Sequence, residues 1–300
     1  MKNVDLFGNE VEEKGSLREK YIVPPFSILA TTQGDWFNRK RKWSSLGIKS
    51  EVGRHIEESH ITVMSRLTEE EYKKKYGRKP MSAASIFDPV LCEVIYSWFC
   101  KKNGSVLDPF AGGSVRGVVS NYLGYNYTGI ELREEQVDAN IQQGIDIFPD
   151  NPPVWLCGDS NQVLDKMDRQ FDFVFSCPPY YDLEVYCDDP NDLSNMSYNE
   201  FNDVYDSIIN KSCKLLRNNR FACFVVGNCR DKNGFMMDLV GNTIRSFEKA
   251  GLKFYNDIVL KNAYGTAMLR ANTLMTYKKV VKVHQNVLVF CKGNPKDFKG

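Results

Sequence analysis

The sequence predicts a doubly wound α/β fold, an open and mostly parallel sheet with helices on both faces. Three observations carry that prediction. Short apolar runs alternate with longer amphipathic ones from Pro89 onward. Glycines cluster where the first run ends, in VLDPFAGGSVRG, and acids stand where the next two end, in GIEL and CGDS. A chain of 300 residues with 42% hydrophobic content can bury the core such a fold needs.

The elements follow in order. A helix over Pro89 to Lys101 leads through Asn103-Gly104 into a first strand, SVLDPF, and the glycine loop opens a helix near Val115. YNYTGIEL is a second strand, followed by a helix from Arg133; PVWLCGD is a third and FDFVFSC a fourth. A helix over Tyr198 to Leu216 precedes the fifth strand, FACFVVGN, and another over Phe235 to Ala250 precedes the sixth, LKFYNDIVL. QNVLVFCKG closes the sheet as a seventh. The last two strands are joined by a long stretch without helical periodicity and are expected to pair antiparallel at the edge. Ahead of this domain, at 81–300, lies an extension, 1–80, in which aromatic residues mix with basic ones and LTEEEYKKKYGRKP reads as a short charged helix closed by Gly77 and Pro80.

Composition excludes several classes. No apolar run approaches the ~20 residues that span a bilayer, and the amino terminus lacks the apolar centre of a secretion signal, so a cytoplasmic protein is expected. Nine cysteines without a C-x-x-C pair read as reduced core thiols, with no zinc or other metal site expected. The formal net charge of +1 conceals an asymmetry. Residues 36–80 carry net +6, residues 129–210 net −15 and residues 261–300 net +7. Basic ends that converge on one face would suit a polyanion.

The glycine loop narrows the ligand. Its spacing departs from G-x-G-x-x-G and lacks a following Lys-Ser or Lys-Thr, so a phosphate-free adenosine compound suits it better than a dinucleotide or a triphosphate. Ligands of open α/β sheets bind beyond the carboxyl ends of the strands. Asp108, Glu131 and Asp159 stand at three successive ends. Glu131 is placed to accept from ribose hydroxyls and Asp159 from an adenine amino group.

These motifs together resemble the S-adenosylmethionine-dependent amino-methyltransferases of DNA, over residues 81–293. DPFAGGS (Asp108, Phe110, Ala111, Gly112, Gly113, Ser114) is similar to their cofactor loop, GIEL (Glu131, Leu132) to their ribose-binding segment and GDS (Asp159, Ser160) to their adenine-binding segment. SIFDPVLCEVI matches the segment whose phenylalanine, here Phe87, flanks the methionine end. SCPPY, with Ser176, Cys177, Pro178, Pro179 and Tyr180, is similar to their catalytic Asp/Asn/Ser-Pro-Pro-Tyr. The segment PPFSILATTQGDWFNRKRKW further resembles a phage-type subgroup. The resemblance implies a Rossmann-like class I methyltransferase, a seven-stranded sheet with its last strand antiparallel, S-adenosyl-L-methionine as cofactor and double-stranded DNA as partner; a homodimer is compatible with it.

Chemistry gives each position a task. A base inside a duplex is out of reach, so the nucleotide must be flipped out and held, and Tyr180 offers a flat surface to stack it on. Pro178 and Pro179 stiffen the turn that aims a carbonyl at the exocyclic amine. Cys177 departs from the family, because a neutral thiol accepts hydrogen bonds weakly. Either Ser176, the backbone or the acids Asp182 and Glu184 supply the missing acceptor, or Cys177 is a nucleophile for methylation of a pyrimidine at C5. N6 of adenine and N4 of cytosine both remain open as targets, as do structured RNA and an inactive DNA-binding relative. Backbone contacts to nucleic acid are expected from Arg39, Lys40, Arg41 and Lys42, and from Arg270, Lys278, Lys279 and Lys282 in the long connection, the leading target-reading element. His284 reads as structural, His55 and His60 show no metal spacing, and Trp36 and Trp43 fit either the core or a nucleic-acid clamp.

Overall fold

The computed structural model describes residues 16–49, 74, 86–181, 189–231, 233–265 and 267–299. The expected domain boundary at residue 80, His55 and His60 lie outside the described residues, as does the charged helix over 67–80 apart from Lys74. The same holds for residues 182–188, which include Asp182 and Glu184.

In chain order the described elements are α1 (Leu17–Tyr21), β1 (Ile28–Ala30), α2 (Trp36–Ser45), α3 (Pro89–Phe99), β2 (Ser105–Asp108), α4 (Val115–Tyr122), β3 (Asn126–Glu131) and α5 (Glu134–Ile147). Then follow β4 (Val154–Cys157), α6 (Ser160–Val163), β5 (Phe171–Ser176), α7 (Tyr198–Leu215), β6 (Leu216–Val226), β7 (Cys229–Arg230) and β8 (Met236–Met237). The chain closes with α8 (Leu239–Lys249), β9 (Lys253–Lys261), α9 (Ala267–Thr276) and β10 (His284–Lys292). One sheet takes the order β1-β9-β10-β6-β5-β2-β3-β4, and β7 and β8 form a separate hairpin.

The mixed α/β class and the mostly parallel sheet are as the sequence predicts, with two differences. The sheet has eight strands, because Ile28–Ala30 of the extension pair in parallel with Val259–Lys261 of β9 and cover that edge. The antiparallel strand, β10, lies inside the sheet between β6 and β9 rather than at its edge. Its reversed direction brings its first residues to the side where the parallel strands end.

Local signals fix the helix starts. Asp88 caps α3 by accepting from the Val90 amide at 2.9 Å, with Pro89 at the first helical position. Ser197 and Glu200 form a reciprocal capping box on α7. β5 is buried on both faces, which is why FDFVFS reads as an almost unbroken apolar run. Phe173 and Phe175 join the core under α3, while Phe171 and Val174 join the one under α7 and α8.

Trp36 and Trp43 belong to the core. They lie seven residues apart on α2, retain 2% and 5% of their exposure, and donate their indole N–H to Asp88 (3.2 Å) and Glu93 (2.9 Å) of the α3 region. Arg39 also pairs with Glu93, a bond that raises its pKa. The described extension is therefore part of the domain's packing. Replacing Trp43 with alanine is expected to cost about 3–5 kcal/mol in urea-induced unfolding. A midpoint equal to the parent's would mean that the segment is merely appended.

Candidate active site

Four parallel strands end side by side, and a cavity of about 980 Å³ opens beyond them. That is the upper end of the usual range for small-molecule sites. Glycine-loop residues Phe110 to Gly113, the acids Glu131 and Asp159, and Cys177 to Tyr180 all line it, as do Phe87, Leu132 and Ser160. The structure thus brings together most of the residues the sequence singles out.

Asp108, Ser114 and Ser176 are buried behind the cavity and do not line it. Asp108 is fully buried and its carboxylate accepts from Arg116 Nε (2.6 Å), Tyr127 Oη (2.7 Å), Ser176 Oγ (2.5 Å) and the Phe110 amide (3.3 Å). A buried carboxylate needs this many partners to offset its lost hydration. Arg116 in turn donates through Nη2 to the carbonyls of Phe110 (2.6 Å) and Ala111 (2.8 Å). Burial opposes the guanidinium charge, yet Asp108 and Tyr127 hold its pKa above the ordinary value; burial, then Asp108, raises that of Tyr127. The acid positions the loop that a ligand would touch. Ser176 Oγ also accepts from the Phe110 amide at 3.1 Å, so its buried hydroxyl ties β5 to the loop. Ser114 is 2% exposed and donates to Gln143, away from the cavity.

The loop is held from its other side as well. Gly112 adopts φ +52°, a left-handed conformation that favours glycine, and its amide donates to Glu131 Oε2 at 2.9 Å. The other carboxylate oxygen accepts from the Arg133 amide at 3.1 Å. Asn140 on α5 donates to the Gly112 carbonyl at 2.7 Å and accepts from Gln136 at 3.0 Å. Asp159 caps α6 through Oδ1, accepting from the Asn161 amide at 2.9 Å. Phe87 lies 4.6 Å beneath the Arg116 guanidinium and meets Phe175 edge-on at 5.8 Å.

Tyr180 is fixed by strands on its far side. Its hydroxyl accepts from Gln285 Nε2 at 2.6 Å, donates to the Val225 carbonyl at 3.4 Å and lies 3.9 Å from Cys177 Sγ. Of the eight described cysteines, six are buried, and only Cys177 lines the cavity.

The basic residues divide. Lys40 and Arg270 line the cavity, with Lys40 3.1 Å from Asp88. Arg39 is turned inward to Glu93, Arg41 stacks on Phe37 at 4.3 Å, and Lys42 is exposed. Lys278 and Lys282 are exposed; Lys282 donates to the Asn228 carbonyl at 3.4 Å, and desolvation there lowers its pKa. Among the described residues no group of three or more His, Cys, Asp or Glu could hold a metal ion, and no helix is long and apolar enough to cross a membrane.

Arg116, Gln136, Asn140 and Gln285 are the residues that sequence reasoning missed. Gln136, Asn140 and Gln143 recur at i, i+4 and i+7 on α5, a polar stripe where a core face is due, and that was a readable signal.

No family model matches the chain. A stretch of 95 residues, 31% of this chain, is 38% identical to the Type II methyltransferase M.HinfI of Haemophilus influenzae. That stretch spans 24% of the relative's length. Among solved structures, a methyltransferase from Pyrococcus furiosus aligns with a TM-score of 0.47 at 14% identity, over 79% of this chain and all of that one. TrmN from Thermus thermophilus aligns with a TM-score of 0.46 at 14% identity, over 69% of this chain and 49% of that one.

Ser176→Ala removes a partner from both Asp108 and the Phe110 amide. It is expected to lower stability by about 1–3 kcal/mol in denaturant unfolding. An unchanged midpoint would show that the hydroxyl does not tie the loop.

Proposed function

We propose that this protein transfers a methyl group from S-adenosyl-L-methionine to an exocyclic base amine, N6 of adenine or N4 of cytosine, of a nucleotide flipped out of double-stranded DNA. One observation carries the reading. The glycine loop, Glu131 and Asp159 share a single cavity with the Cys177-Pro178-Pro179-Tyr180 turn. The local identity to a Type II methyltransferase supports the same class.

The residues present fit such a cofactor. Two carboxylates on one cavity wall suit hydroxyl and amino donors and disfavour phosphate. Glu131 would hold the ribose hydroxyls, Asp159 and Ser160 would face the adenine, and Phe87 and the loop backbone from Phe110 to Gly113 would flank the remainder. When bound, the sulfonium supplies an electrophilic methyl group.

The chain's own part is placement. Tyr180, pinned by Gln285 and Val225, presents a ring whose stacking on a flipped base is worth about 1–3 kcal/mol. The two prolines hold the turn rigid, so a carbonyl there can accept from the amine and direct its lone pair. With Ser176 committed to Asp108, that backbone acceptor and Cys177 are the described groups left at the position where the family has an oxygen or amide. Positioning and electrostatics then supply the rate without a covalent intermediate.

Calorimetry with S-adenosylmethionine is expected to show binding that Glu131→Ala weakens at least tenfold; equal affinity would remove Glu131 from the site. Nucleoside mass spectrometry of duplex DNA incubated with enzyme and cofactor is expected to reveal N6-methyladenine or N4-methylcytosine, with Cys177→Ser retaining transfer. A C5-methylated pyrimidine lost in Cys177→Ser would assign the thiol as nucleophile instead, and methylation confined to RNA would exclude the DNA substrate.

A further inference from the structure

Two segments beside the cavity expose apolar side chains that pack against little else among the described residues. Helix α9 is ten residues long, yet among them only Ala267 is buried. A helix this short gains its stability from packing and is marginal alone. Met268, Leu269 and Met275 stand 73%, 81% and 53% exposed, and Arg270 on the same helix lines the cavity. The β7–β8 hairpin, which follows β6 directly, exposes Phe235 (73%) and Met236 (52%).

The two segments meet. The Lys279 side chain packs against Gly234 in the hairpin, where a Cβ would overlap it, and Lys282 Nζ reaches the Asn228 carbonyl at the hairpin's base. Gly227, next to that base, also lies against the ring of Tyr180, so the surface they form begins at the Cys-Pro-Pro-Tyr turn. Its charge has one dominant sign. From Ile258 to Lys296 the sequence has no Asp or Glu, while Arg270, Lys278, Lys279 and Lys282 fall within that span.

Resting on the DNA reading above, we infer that the hairpin and the α9 connection together form the surface that seats a DNA duplex around the cavity mouth. The lysines contact phosphates, and the exposed apolar side chains of Phe235, Met236, Met268 and Leu269 press on sugars and base edges. Exposed apolar side chains beside cations suit a duplex that must be opened, because apolar groups inserted at a base step offset the stacking lost there.

The test is fluorescence anisotropy with a fluorescein-labelled 30-base-pair random-sequence DNA duplex, titrated at several salt concentrations. Lys278→Ala/Lys279→Ala is expected to raise Kd and to flatten the plot of log K against log salt by about 0.9 for each phosphate contact removed. Phe235→Ser/Leu269→Ser is expected to raise Kd severalfold with the salt slope unchanged. Calorimetric binding of S-adenosylmethionine stays at the parent's affinity in both variants, which shows that they are folded and separates failure of this surface from failure of the methyl-transfer reading. Parental duplex affinity and slope in both folded variants would overturn the inference. So would a parent that binds cofactor but no duplex, preference for an RNA hairpin, or a loss of self-association in Phe235→Ser/Leu269→Ser as its main effect. Should either double variant lose cofactor binding, Met268→Ser and Lys278→Ala alone are held to the same two criteria.

Discussion

The site depends on one buried ion pair. Asp108 at the end of β2 and Arg116 on α4 are both withdrawn from water, and each is held by the other and by hydrogen bonds to the loop between them. Removing either charge would leave the other buried and uncompensated, which costs about 3–5 kcal/mol in such settings. The pair also receives Ser176, the residue before the Cys-Pro-Pro-Tyr turn, and Tyr127 from β3. Three adjacent strands are thereby locked to the same loop.

That arrangement explains why the cavity walls are rigid where the chemistry needs them to be. The glycine loop is pulled from below by Arg116 and from the side by Glu131 and Asn140, so its backbone is preorganised before any ligand arrives. The Cys-Pro-Pro-Tyr turn is anchored at its start by Ser176 and at its end by Tyr180, whose hydroxyl is bonded to β10 and β6. The amino-terminal extension contributes to the wall as well, where Thr31 and Lys40 line the cavity. An element that reads as an appendage thus helps to close the pocket.

Much of this was legible in the sequence, and the failures have physical reasons. The strands and most helices follow from apolar periodicity, and the motif residues fall at strand ends where the fold class places ligands. Whether a strand-terminal acid faces the cavity or the core depends on which neighbour neutralises it. Asp108 stands at a strand end where the fold class places ligands, yet its carboxylate is buried against Arg116 and Tyr127, and Arg116 looks like any helix-surface cation until its partners are known. Gln285 meets Tyr180 only because β10 runs antiparallel inside the sheet, a fact of topology rather than of local pattern. The spacing of Trp36 and Trp43 would have revealed α2 and its buried face. Helix α9 leaves no amphipathic trace, since it buries almost nothing in this chain.

The most direct test of the central anchor is a double-mutant cycle with Asp108→Asn, Arg116→Met and the pair together, read by denaturant unfolding. The account predicts that the double variant is less destabilised than the sum of the singles, with a coupling of about 2–3 kcal/mol. Additive losses would contradict it, for they would mean that the two charges stabilise the site independently.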